Sequence, residues 1–139
     1  MNAPSPLLAT SYVALGGAIG SVLRYQTGRA LTSLLGTQVV GSFPWATLTV
    51  NVAGSLAMGV LAGWLARFGP HGSSVGGEPW QLFIGIGLLG GFTTFSSFSL
   101  EMMLLIERGQ PAQAVLYAAV SLLAGLSALY IGLIAMRLA

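Results

Sequence analysis

The sequence predicts an all-α membrane protein: one domain over residues 1–139, built from four transmembrane helices, the third broken near its middle. Three observations carry this expectation. Hydrophobic residues make up 55% of the 139-residue chain and charged residues 6%, where a soluble domain is about a quarter charged. Mean hydropathy is +0.84. Four apolar stretches approach or exceed the roughly 20 residues needed to cross a bilayer, and charge, Pro and Gly gather only between them.

The first span covers about residues 7–23, and its helical pattern can continue past Arg24 and Arg29 toward Leu35. GTQVVGSFP reads as the loop that follows. The second span covers residues 45–68 and ends in GPHGSSVGGEP, whose Gly, Ser and Pro do not sustain a helix. The third, residues 80–106, is too long for one upright crossing without a tilt, kink or break. ERGQP then turns the chain, and Pro111 suits the first turn of the fourth span, residues 112–136. Trp45, Trp64 and Trp80 all fall at span ends, where amphipathic rings favour the headgroup level.

Composition also excludes. The opening residues lack the basic n-region of a signal peptide, so the N-terminal segment is expected to be retained. With no Cys there is no disulfide, thiolate metal site or cysteine nucleophile. His71 is the single histidine and lies in a glycine-flanked loop without an acid–base partner, so an enzyme is not expected. The net charge of +2 is scattered, which is no nucleic-acid footprint.

With four spans, Arg67 and Arg137 fall on one side of the membrane and Arg24, Arg29 and Arg108 on the other. The positive-inside rule needs a clear excess to fix an orientation. Two against three predicts insertion in both, the alternative on charge alone being a single orientation set by Arg24 and Arg29.

Polar and small residues form stripes within the spans. Thr47, Asn51, Ser55, Gly59 and Gly63 recur every four residues along the second span. Tyr117, Ser121 and Gly125 repeat the pattern in the fourth. The glycine pairs Gly16/Gly20, Gly59/Gly63 and Gly87/Gly91 predict close helix packing. For Asn51, the primary amide fits an interhelical hydrogen bond or a role beside a permeating species equally well. In GGFTTFSSF, residues 90–98, Gly90 and Gly91 weaken the helix and predict the break there. A break exposes carbonyls for cations and N–H groups for anions. Phe95 and Phe98 share the face beyond it, and their ring edges are weakly positive.

GGAIGSVLRY at 16–25, TLTVNVAGSLAMG at 47–59, GGFTTFSSF followed by SLE at 90–101, and the Tyr117/Ser121 pair together resemble the Fluc (CrcB) family of fluoride channels over nearly the whole chain. The resemblance implies a dual-topology antiparallel homodimer in the inner membrane of a prokaryote, with two pores that pass fluoride passively out of the cell and protect it from fluoride toxicity. It implies pore roles for Asn51, Phe95, Phe98, Tyr117 and Ser121, and places Arg24 near one mouth. Thr47 joins these as a candidate donor on the stripe. It further implies a structural Na+ at the dimer axis, held by the main-chain carbonyls of Gly90 and Thr93. The expected partners are a second copy of the chain, fluoride and membrane lipid, with no nucleic acid. Ser97 stands where some members carry Thr, and Gly125 where some carry a polar residue; residues 36–43 and 69–79 form long loops.

Two other readings remain distinguishable. A proton-coupled transporter resembling the small multidrug-resistance proteins needs a membrane-embedded carboxylate in its first helix. Here Glu78 lies in a loop, Glu107 at a helix end and Glu101 in the outer turns of the third span. A non-transporting assembly subunit would leave Asn51, Ser121 and Phe95 without a task.

Overall fold

The computed structural model describes residues 4–68 and 79–138. Helix α1 runs Pro6–Leu35, a short α2 Thr37–Ser42, α3 Trp45–Phe68, α4 Gly90–Phe92, α5 Phe95–Glu107 and α6 Pro111–Leu138, with a π-helical segment, Gln81–Leu89, leading into α4. Four helical stretches, Pro6–Leu35, Trp45–Phe68, Gln81–Glu107 and Pro111–Leu138, are long and apolar enough to span a membrane. No strand is present among the described residues.

Helix ends follow local chemistry. Ser5 caps α1 by accepting from the Leu8 N–H at 3.4 Å, and Pro6 occupies a first-turn position where no N–H is required. Gly36 ends α1 at φ +84°, a left-handed conformation that glycine adopts without strain. Pro111 opens α6 as its sequence position predicts. The first helix is thus longer than the 7–23 minimum and reaches Leu35 as its pattern allowed. The 36–43 segment is not a loop: six of its residues form α2, held against the end of α5 by Arg108, whose Nη1 donates to the Gly41 carbonyl at 3.2 Å. The loop expected at 69–79, with Glu78 and His71, lies almost wholly outside the described residues.

Two tight helix pairings organise the bundle. In the first, α1 crosses the π-segment and α4 at Gly16, Gly20, Gly87 and Gly91. A Cβ at Gly16 or Gly20 would run into the main chain of Phe83 or Leu88, and one at Gly91 would lie 2.6 Å from the Gly17 carbonyl. In the second, α3 packs on α6 through Gly59, Gly63 and Gly132, each against backbone of the facing helix. The glycine stripes therefore serve packing, as backbone approach in lipid requires. The remaining core is small: Leu105, Ala114 and Tyr117, flanked by Phe43, Leu48, Phe98 and Met102.

The third span does break, but not at its glycines. Gly90 and Gly91 are still helical, and the chain leaves the helix at Thr93 (φ −85°, ψ 161°) and Thr94 (φ −154°, ψ 125°) before α5 begins. Gly91 serves contact with α1 instead. Low helix propensity marks the neighbourhood, and the break itself falls at Thr93 and Thr94.

Candidate functional site

The break and the first two turns of α5 face α3 and α6, and the polar side chains of the bundle meet there. Asn51 reaches from α3 to Thr94: its Nδ2 donates to the Thr94 carbonyl at 3.0 Å, and its Oδ1 accepts the Thr94 N–H at 2.8 Å. Thr94 Oγ1 caps α5 by accepting the Ser97 N–H at 3.2 Å. In an unbroken helix those two N–H groups would bond the carbonyls of Gly90 and Thr93, four residues back. The two carbonyls named on the sequence as cation ligands are thus the ones whose helical donors are taken by side chains. The Thr93 hydroxyl itself turns back to the Leu89 carbonyl at 2.8 Å.

Two turns into α5, Glu101 forms the polar centre. Thr47 Oγ1 donates to its Oε1 at 2.7 Å and the Tyr117 hydroxyl to its Oε2 at 2.8 Å. Tyr117 is fully buried and Thr47 nearly so. The two hydrogen bonds satisfy both carboxyl oxygens, as an ionisable group inside a membrane span requires. The Tyr117 ring is held between Phe98, at a centroid distance of 5.1 Å, and Phe43, edge-on at 5.5 Å. Phe95 lies 5.7 Å from Phe98 by ring centroids. Its ring points out of the bundle and is 79% exposed. It lines an open cavity of about 300 Å³ together with Asn51, Ser55, Thr93 and Thr94.

Ser121 lies one turn beyond Tyr117 on α6, and its buried Oγ has no hydrogen-bond partner among the described residues. Such an orphan is costly unless something else meets it. Arg24 is not brought to this cluster. It lines a separate groove on α1 with Tyr25, Gly28, Arg29, Thr32 and Ser33.

The structure therefore gathers Thr47, Phe98 and Tyr117 around Glu101, sets Asn51, Gly90 and Thr93 at the break, leaves Ser121 open on the α6 stripe, and keeps Arg24 apart. Sequence reasoning passed over Glu101 and Thr94. Glu101 carried a usable signal: an ionisable residue within an apolar span is a functional candidate wherever it falls. Thr94 carried a weaker one, a cap-forming residue opening a polar turn. Phe43, assigned to a loop, had no signal linking it to Tyr117.

The sequence matches the family described as CrcB-like protein, Camphor Resistance (CrcB), over residues 11–133. The chain belongs to this family. Among similar CrcB-like proteins, one from Erythrobacter litoralis, named fluoride-specific ion channel FluC, is 54% identical over 138 residues, covering 99% of this chain and 98% of that protein. A protein of the same name from Novosphingobium aromaticivorans is 54% identical over 131 residues, covering 94% and 98%. Another from Caulobacter vibrioides is 46% identical over 125 residues, covering 90% and 92%. With its four apolar spans, the chain is a multi-pass membrane protein.

Proposed function

We propose that the protein is a fluoride-selective channel of the prokaryotic inner membrane that lets fluoride leave the cytoplasm passively and so limits its toxicity. It acts as an antiparallel homodimer whose two pores each draw residues from both copies. The carrying observation is the polar track beside the break: Ser121, whose buried hydroxyl has no partner among the described residues, one turn from Tyr117, which with Thr47 already aims its hydroxyl at the Glu101 carboxyl. Fluoride is a small anion whose hydration must be replaced by donors, and neutral hydroxyls do this without the tight grip of a fixed cation. An arriving fluoride competes with the Glu101 carboxylate for the Thr47 and Tyr117 protons, so ion entry and carboxylate displacement are coupled by shared donors.

The rings of Phe95 and Phe98 present weakly positive edges along the lane. Phe95 is useful there only if a second copy closes over it, since it faces outward from the single chain. That exposure and the near-balanced arginines support the antiparallel dimer. Asn51 stands at the inner end of the lane, and Arg24, in its separate groove, raises the anion concentration near one mouth. The carbonyls of Gly90 and Thr93 fit a hard cation, being oxygen ligands released from the helical ladder. A structural Na+ there would neutralise the carbonyl dipoles where the breaks of two copies meet.

No histidine or nucleophile enters this reading, and it assigns no catalysis. The test is the driving force. In liposomes, fluoride efflux should follow an imposed membrane potential and ignore a proton gradient; efflux that tracks the proton gradient would make the protein a coupled transporter with Glu101 as the proton carrier.

A further inference from the structure

We infer that Asn51 is a positioning residue that acts through the helix break: by clamping both main-chain groups of Thr94 it keeps the Gly90 carbonyl out of the helical ladder. A primary amide carries the same donor and acceptor pair as a peptide group. It therefore pairs with Thr94 as a neighbouring strand would, at 2.8 and 3.0 Å. The two bonds fix the amide's orientation, because a flipped amide would set donor against donor. Asp keeps the acceptor for the Thr94 N–H and loses the donor, and Leu lacks both groups.

A second contact supports the clamp independently. One turn along α3, Gly54 faces Thr93, and a Cβ there would collide with Thr93 Cγ2. Helix α3 thus approaches the break so closely that a side chain at position 54 would displace Thr93, and the same approach brings Asn51 within reach of Thr94. Two side chains divide the work. Thr94 Oγ1 releases the Thr93 carbonyl by capping Ser97 from within the same segment, and Asn51 releases the Gly90 carbonyl from 43 residues away. With its Oδ1 and one Nδ2 hydrogen engaged on the backbone, Asn51 governs the cation site more directly than it serves the anion.

The sodium half of this inference rests on the break being a cation site as proposed above; the clamp itself does not. Both are read on the full-length protein in lipid nanodiscs, comparing wild type, Asn51→Ala and Asn51→Asp. Hydrogen exchange at the Thr94 amide should accelerate about tenfold in Asn51→Ala, the loss of roughly one to two net hydrogen bonds, and stay near wild type in Asn51→Asp, which keeps the acceptor. The sodium concentration giving half-maximal protection of residues 90–98 should rise by about the same factor in Asn51→Ala, since the released carbonyl is the ligand. Unchanged Thr94 exchange in Asn51→Ala, alongside weakened fluoride affinity, would overturn the clamp and make Asn51 a direct ion ligand. If Asn51→Ala does not fold, the same exchange in Asn51→Asp decides: fast exchange despite a retained acceptor contradicts the clamp. A wild-type protein whose protection is indifferent to sodium would overturn the cation half alone.

Discussion

The two halves of the third span share one apolar stretch and do opposite work. Before the break, the π-segment and α4 are pressed onto α1 through Gly16, Gly20, Gly87 and Gly91, backbone against backbone. After it, α5 carries Glu101, Phe95 and Phe98, and with the break it takes hydrogen bonds from α3 and α6. The first half is an anchor whose tolerance is set by sterics; the second is a polar rail whose tolerance is set by donors and acceptors. In lipid these tasks conflict, because close packing wants small residues and an ion lane wants hydroxyls and rings. Breaking the helix lets one span do both.

The sharpest way to break the contrast is to overfill the anchor. Gly20→Leu places a side chain against the Leu88 carbonyl and within 2.8 Å of the Phe92 nitrogen, and backbone on the far side cannot give way. The expected loss exceeds about 3 kcal/mol, read as disappearance of the monodisperse species on size exclusion. Recovery of a stable, conducting protein would show that the anchor is soft.

On the rail, Phe95→Ile should leave folding intact, because the ring is 79% exposed in the chain, yet cut fluoride efflux from liposomes at least about tenfold, about 1.4 kcal/mol in barrier. Efflux at the wild-type rate would remove the ring edges from the account. The smallest effect is expected from Ser121→Ala. Its hydroxyl has no partner among the described residues to lose, so stability should shift by less than about 1 kcal/mol, toward greater stability if at all. Fluoride efflux should still fall a few-fold, separating the lane from the fold.

Much of this division was legible in the residues, and the gaps have physical causes. The second span was placed at 45–68, as found, because hydropathy and its flanking Trp and Gly agree. The glycine pairs were read as packing, as they are. The break is expected at Gly90 and Gly91 because propensity is local, whereas it falls at Thr93 and Thr94, where Asn51, a partner far away in sequence, bonds the freed backbone. Helix α2 was missed because a six-residue helix with no buried face has no periodic signal. Glu101 was set aside because it lies in the outer turns of the third span and not in the first helix; its partners lie 54 and 16 residues away, and only the fold reveals them. The candidate track of Thr47, Tyr117 and Phe98 was named by spacing on separate helices; that it converges on a carboxylate was not written in any one of them.

Selectivity tests the account most directly. Purified protein in liposomes loaded equally with fluoride and chloride, with efflux driven by the same membrane potential, should release fluoride at least about a hundredfold faster, about 2.7 kcal/mol of discrimination. Comparable rates for the two halides would contradict a lane built of neutral donors and ring edges.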